Sequence, residues 1–113
     1  EVDAAIPLKR SDSTVRADRK MQRRHEAEAR QARSRQRRAV QQRVHQLEQE
    51  IADLEARERT LVAALELPET YATPGRAVEI NEALRDLHAR LPAATAEWEA
   101  AATELAELDT GTG

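Results

Sequence analysis

The sequence predicts an all-α protein: a two-helix antiparallel coiled-coil hairpin preceded by an extended Arg-rich helical arm. Three observations carry this expectation. Ala, Glu, Arg, Leu and Gln dominate the 113 residues, of which 35% are charged and 2% aromatic, a composition of long helices rather than sheets. Apolar residues recur at alternating steps of four and three in two separate stretches, the spacing of a coiled-coil seam. Charge is segregated along the chain: residues 9–43 carry 13 Lys or Arg against 4 Asp or Glu, and residues 44–113 carry 5 against 15. The formal net charge of −3 therefore joins a basic arm to an acidic body.

Residues 1–13 read as a linker, extended up to Arg10, because Pro7 interrupts them and no helical period is present. Ser11, Asp12, Ser13 and Thr14 are helix-start residues whose side-chain oxygens can accept from free backbone amides. Residues 14–39 form the basic arm, with Arg on every face, Met21 as the large apolar residue and Ala keeping helix propensity high. The first seam follows: Val40, Val44, Leu47, Ile51, Leu54, Glu58, Leu61 and Leu65, with Glu58 as an acidic interruption.

Pro68 and Pro74 bracket a tip at about residues 67–75, each disfavouring helix in the residue before it. Thr73 is the expected N-cap of the return helix, with Pro74 at its first position. The second seam is Ile80, Leu84, Leu87, Leu91, Ala94, Trp98, Ala101, Leu105 and Leu108. Pro92 lies on its outer side and predicts a kink near His88 to Pro92. The hairpin spans residues 40–109, and residues 110–113 form a flexible tail.

Two seams joined by a short break fold back on each other. Pairing Leu65 with Ile80 places Leu61 by Leu84, Glu58 by Leu87, Leu54 by Leu91, Ile51 by Ala94, Leu47 by Trp98, Val44 by Ala101 and Val40 by Leu105. In that register Arg43 faces Glu104, whereas Arg57 lies near Arg90 and Glu50 near Glu97, so the flanking charges conflict. Leu108 ends opposite Arg37, leaving the arm without a partner in the chain.

These features resemble the C-terminal domain of ABC-F ATPases, the Uup-type coiled coil that follows the second nucleotide-binding domain. The resemblance rests on the lead-in Arg19-Lys20-Met21-Gln22-Arg23-Arg24-His25-Glu26-Ala27-Glu28 and the run Gln46-Leu47-Glu48-Gln49-Glu50-Ile51-Ala52-Asp53-Leu54-Glu55. It continues through Leu67-Pro68-Glu69-Thr70-Tyr71 at the tip and Trp98-Glu99 with Glu104-Leu105 after it, covering roughly residues 16–109. Leu67 stands where such domains often carry Asp, which removes the side-chain cap from a short tip helix. The resemblance implies parent ATPase domains elsewhere in a longer protein, ribosome association with ribosomal RNA as ligand, and DNA binding in the Uup-like branch. The chain begins at Glu1 rather than Met, as expected of a part of such a protein, and is expected to be cytoplasmic and, alone, monomeric.

The arm is the candidate site: Arg16, Arg19, Lys20, Arg23, Arg24, Arg30, Arg33, Arg35, Arg37, Arg38 and Arg43. Guanidinium groups match phosphate geometry, and neutralising phosphates releases counterions, so such a helix binds nucleic acid without reading sequence. Aromatic residues for base stacking are lacking in the arm. The alternative is a solvated spacer carrying a structural or protein-docking coiled coil, either a homodimer through the first seam or a hairpin that docks through Tyr71 at its tip. A basic region followed by a zipper shares the order of features but predicts no return helix.

Other chemistry is excluded or disfavoured. With no Cys there is no disulfide scaffold or thiolate metal site, and His25, His45 and His88 lack the spacing of metal ligands. No phosphate-binding Gly-rich loop is present, so neither a bound cofactor nor catalysis is expected of this chain. No apolar run approaches the ~20 residues of a membrane span.

Overall fold

The computed structural model describes residues 2–111, with side chains described from Asp12 onward. Three helices follow one another: α1 (Val2–Leu65), α2 (Pro68–Ala72) and α3 (Arg76–Gly111). The chain divides into two compact units, residues up to Gln36 and residues from Arg37.

The first unit is helical from Val2, so the extended segment expected over residues 1–10 is corrected for all but Glu1, which lies outside the described residues. Pro7 is the sixth residue of α1, and the helix continues through it despite the missing backbone donor. The start signals Ser11 to Thr14 consequently fall within α1 instead of opening it.

In the second unit both seams are observed. Leu47 and Ile80 are 1% exposed and Ala94 is fully enclosed. One cluster joins Leu54, Ile80, Leu84, Leu87 and Ala94, with Ile51, Leu61, Leu65 and Leu91 packed against it. A second joins Val44, Leu47 and Ala101, flanked by Trp98 and Leu105. Both members of six of the eight expected pairs lie within one or other cluster, whereas Glu58 and Val40 belong to neither. The seam works because residues three and four apart share a helix face, so a modest apolar supply is concentrated where α1 and α3 meet.

Glu58 is half-buried within this seam and lies 2.7 Å from His88 Nε2 through its Oε2. The pair is substantially solvated, and such pairs contribute about 0–1 kcal/mol, whereas fully burying a Leu side chain gains about 1.5–3 kcal/mol. Glu58→Leu should therefore stabilise the hairpin by about 1 kcal/mol, read as a rise in thermal midpoint by circular dichroism. A lower midpoint would mean that the bridge to His88 outweighs the continuous seam.

The tip differs from expectation in two respects. A short helix, α2, forms although Leu67 provides no side-chain cap, because Pro68 occupies its first turn with a preset backbone angle. The return helix starts at Arg76, not at Pro74. Thr73 closes α2 in an extended conformation, and its carbonyl accepts from Arg76 N at 3.2 Å. Pro74 and Gly75 occupy the middle of that turn, and Gly75 has φ +80°, the pattern of a type II turn. The Gly75 carbonyl then accepts the first helical bond, from Glu79 N at 3.0 Å.

α3 runs through Pro92 and extends to Gly111. Thr110 and Gly111, expected in a flexible tail, are helical, whereas residues 112–113 lie outside the described residues.

Candidate nucleic-acid interface

The basic residues from Arg16 to Arg35 lie on α1 within the first unit. From Asp12 to Ala39 every side chain is exposed except half-buried Ala27. A helix advances about 100° per residue, which fixes the side on which each falls. Arg16, Arg19, Lys20, Arg23, Arg24, Arg30, Arg33 and Arg35 occupy an arc of about 200°. The remaining arc carries Asp18, Met21, His25, Glu28, Ala32 and Gln36. Arginine is thus confined to one broad side, correcting the expectation of arginine on every face.

Arg37 and Arg43 belong to the hairpin. Arg37 Nε donates to Asp109 Oδ1 at 2.5 Å, and this bond with the adjacent negative charge raises the Arg37 pKa. The pair closes the base of the hairpin, where Leu108 was expected opposite Arg37. Arg43 Nη2 donates to Glu97 Oε1 at 3.0 Å, not to Glu104 as the seam pairing suggested. Arg38 also makes an interaction. Among the described residues, every ion pair involves Arg37 or a residue after it.

Arg90 resolves the expected charge conflict. Its Nε and Nη2 donate to the two carboxylate oxygens of Glu50 at 2.6 and 2.7 Å, the bidentate fork that suits guanidinium to carboxylate. Its Nη1 lies 2.9 Å from Glu97 Oε2. That oxygen is shielded from solvent, and the contact adds to the attraction between Arg90 and its acidic neighbours. Arg43, Glu97, Arg90 and Glu50 therefore alternate in sign along one flank, and the expected juxtapositions of Glu50 with Glu97 and Arg57 with Arg90 are not isolated like-charge pairs. The bonds from Arg90 hold the Glu50 pKa below the usual carboxylate range against the opposing effect of desolvation. The resulting stabilisation is present above the unfolded-state pKa and is lost as pH falls through the lowered folded value.

At the tip, Thr70 and Tyr71 bind the end of α1. The buried Thr70 hydroxyl donates to the Ala64 carbonyl, and Tyr71 Oη donates to the Leu65 carbonyl at 2.5 Å. Both satisfy acceptors that a helix C-terminus leaves open. Tyr71 remains 62% exposed, so it is anchored by its hydroxyl while its ring faces solvent. Sequence reading missed the Thr70 role; its signal is a hydroxyl within the turn after a helix end, which is common in loops and therefore weak.

Trp98 packs against the cluster of Val44, Leu47 and Ala101, as expected of a seam aromatic, although its Nε1 is buried without a hydrogen-bond partner. A surface depression of about 760 Å³ is lined mainly by polar residues of α1, including Gln42, Gln46, Glu50 and Asp53. Among the described residues no group of three His, Cys, Asp or Glu side chains is placed to hold a metal ion, and no helix is long and apolar enough to cross a membrane.

No curated protein and no solved structure matches the chain. The family model of the ABC transporter C-terminal domain matches residues 35–108. Its limits follow the second unit, which begins at Arg37, and end with the last seam residue, Leu108. The match is narrower than the resemblance over residues 16–109, because it omits most of the basic segment. The chain belongs to the ABC transporter C-terminal domain family, and its hairpin is an accessory domain distinct from the nucleotide-binding part.

Proposed function

We propose that this chain is the non-catalytic, nucleic-acid-binding accessory domain of a cytoplasmic ABC-F type ATPase, acting in a ribosome-associated, translation-related protein. Its Arg-rich segment contacts the phosphates of ribosomal RNA or DNA, and ATP hydrolysis belongs to the parent domains. The observation that carries this reading is the dense set of exposed guanidinium groups from Arg16 to Arg35, outside the ion pairs of the hairpin. Packing does not account for so many exposed arginines, whereas release of counterions from a polyphosphate does.

The test is a fluorescence-anisotropy titration of the 113-residue chain with labelled RNA and DNA at several salt concentrations. With about five phosphates neutralised, affinity should fall roughly 10²–10³-fold between about 50 and 200 mM salt. Arg19, Arg23, Arg30 and Arg33 changed together to Glu should abolish saturable binding while leaving the hairpin folded. Arg37 is kept because it pairs with Asp109. Retained affinity in that variant would refute the assignment.

The competing reading is a structural or protein-docking hairpin. Its supporting observation is the exposure of Leu67 and Tyr71, 52% and 62%, at the tip. It predicts that the charge-reversed chain retains its partner and that Tyr71→Ala loses it, measured by pull-down against the parent ATPase domains and ribosomal fractions.

A further inference from the structure

We infer that the flank of the hairpin beside Trp98 is a docking groove for a cationic amphipathic helix of another protein. All its residues belong to the second unit and none to the Arg-rich segment, so it stands or falls independently of phosphate binding. The groove, of about 320 Å³, is lined by Glu48, Ile51, Ala52 and Glu55 of α1 with Thr95 and Trp98 of α3. Ile51 and Trp98 are half-buried, whereas Glu48, Ala52, Glu55 and Thr95 are exposed. Trp98 Nε1 is shielded from solvent, so the indole offers carbon to the groove. The Thr95 hydroxyl is turned back to the Leu91 carbonyl, to which it donates at 2.9 Å. The floor is therefore apolar and its α1 rim acidic.

The two flanks of the hairpin are closed differently. Arg43 and Glu50 lie on one side of the α1 seam and Glu48 and Glu55 on the other, about 120–160° away around the helix. The first flank is joined across the helices by Arg43 with Glu97 and by Arg90 with Glu50 and Glu97. The second is bridged by Arg37 with Asp109 at the base and by Glu58 with His88 toward the tip. Among the described residues no ion pair joins α1 to α3 on that flank between those two bridges, and the groove occupies this interval. Glu55 makes no ion pair there, and the partner of Glu48 is His45 on its own helix, at 3.2 Å. Two carboxylates beside an apolar floor are thus left without a cation from α3.

The spacing of those carboxylates selects a helix as the occupant. Glu48 and Glu55 are seven residues apart, so they share a heptad position and stand about 10 Å apart along α1. A third helix laid in the groove brings its own residues seven apart beside them, as flanking charges pair along a coiled-coil seam. Ala52 and Thr95 are small enough to let a third backbone come close, and Ile51 and Trp98 supply apolar contact, the arrangement of a helix in a groove. The acidic rim favours Lys or Arg along the borders of the incoming apolar stripe and repels an acidic helix. The chain's own Arg-rich segment lacks such a stripe, because its exposed large apolar residues, Val15 and Met21, lie about 120° apart around α1. The occupant is therefore a helix of a different protein.

Trp98 is the single tryptophan of the chain, so its fluorescence reports the groove directly. The experiment titrates the full chain with a synthetic helical peptide of about 20 residues, free of aromatic residues, with Ala and Leu on one face and Lys along both borders of that face. A companion peptide carries Glu in place of each Lys. The cationic peptide should move Trp98 emission to shorter wavelength and saturate, and the companion should leave it unchanged. Glu48→Gln combined with Glu55→Gln should weaken binding about 10-fold, and Ala52→Lys, which puts bulk and like charge on the floor, by at least as much. Asp53→Asn changes the net charge as Ala52→Lys does, but beside Gln46 and Glu50 on the other flank, and should leave affinity within about 2-fold. All four positions are exposed on α1, and circular dichroism checks that each variant keeps its helix content. Equal losses in Asp53→Asn and Ala52→Lys, or a cationic peptide that leaves Trp98 emission unmoved, would overturn the groove. Sedimentation of the parental chain alone tests the choice of occupant. A concentration-dependent dimer abolished by Glu48→Gln with Glu55→Gln would overturn it in favour of a second copy, and a monomer at every concentration supports it.

Discussion

Leu47→Ala should lower the stability of the hairpin by about 3 kcal/mol, a large fraction of what a domain of this size possesses. Leu47 is 1% exposed and sits within the cluster of Val44, Ala101, Trp98 and Leu105. Its removal loses the transfer free energy of the deleted carbons and leaves a cavity whose walls are set by two helix backbones and an indole ring. The space cannot close readily, because Trp98 is held among Val44, Leu47 and Ala101 on a helix with its own seam to satisfy. For a hairpin of this length, about 3 kcal/mol corresponds to a fall of roughly 15 °C in thermal midpoint. Leu61→Ala, at a half-buried seam position, should cost less than half as much. The measurement is urea and thermal unfolding by far-ultraviolet circular dichroism at matched protein concentration. A Leu47→Ala hairpin within 1 kcal/mol of the parent would show that the seam around Trp98 is not the packed region described.

The two seams were legible because a heptad pattern accumulates evidence over many positions. No single residue decides it, and Glu58 or Ala94 can depart from the apolar consensus without hiding the face. Boundaries depend instead on one or two local signals, and these misled. Pro7 weighed too heavily against helix, and Thr73 looked like a cap when Gly75, with its left-handed backbone, controls the turn. The flank charges were misread for a different reason. Seam pairing positions backbones, but Arg90 spans enough distance to bind Glu50 while approaching Glu97, so long side chains repaired a conflict that backbone register alone predicted. The candidate site was legible as a composition and incompletely as a surface. A count of arginines suggested all faces; placing Arg16, Arg23 and Arg30 at their helical angles shows one.

The same geometry makes the hairpin as sensitive to added volume as to lost volume. Ala94 is fully enclosed, belongs to the cluster of Leu54, Ile80, Leu84 and Leu87, and precedes Trp98 by one turn on the same seam. A small residue there allows α3 to approach α1 beside the bulk of Ile51 and Leu91. Ala94→Leu adds three carbons where no side-chain space exists, so the helices must separate or the neighbouring rotamers must distort, at a cost of about 1–3 kcal/mol. Separation would also loosen the Arg90–Glu50 fork four residues earlier on α3, since hydrogen bonds of 2.6 and 2.7 Å tolerate little displacement. Ala96→Leu, two residues away on the exposed side, adds the same volume into solvent and should leave stability within about 0.5 kcal/mol. The pair therefore separates packing from helix propensity, which the two substitutions change alike. If both variants melt with the parent, α1 and α3 are not in close contact at Ala94; if only Ala94→Leu is destabilised, the heptad pairing of the two helices has set their spacing at this layer.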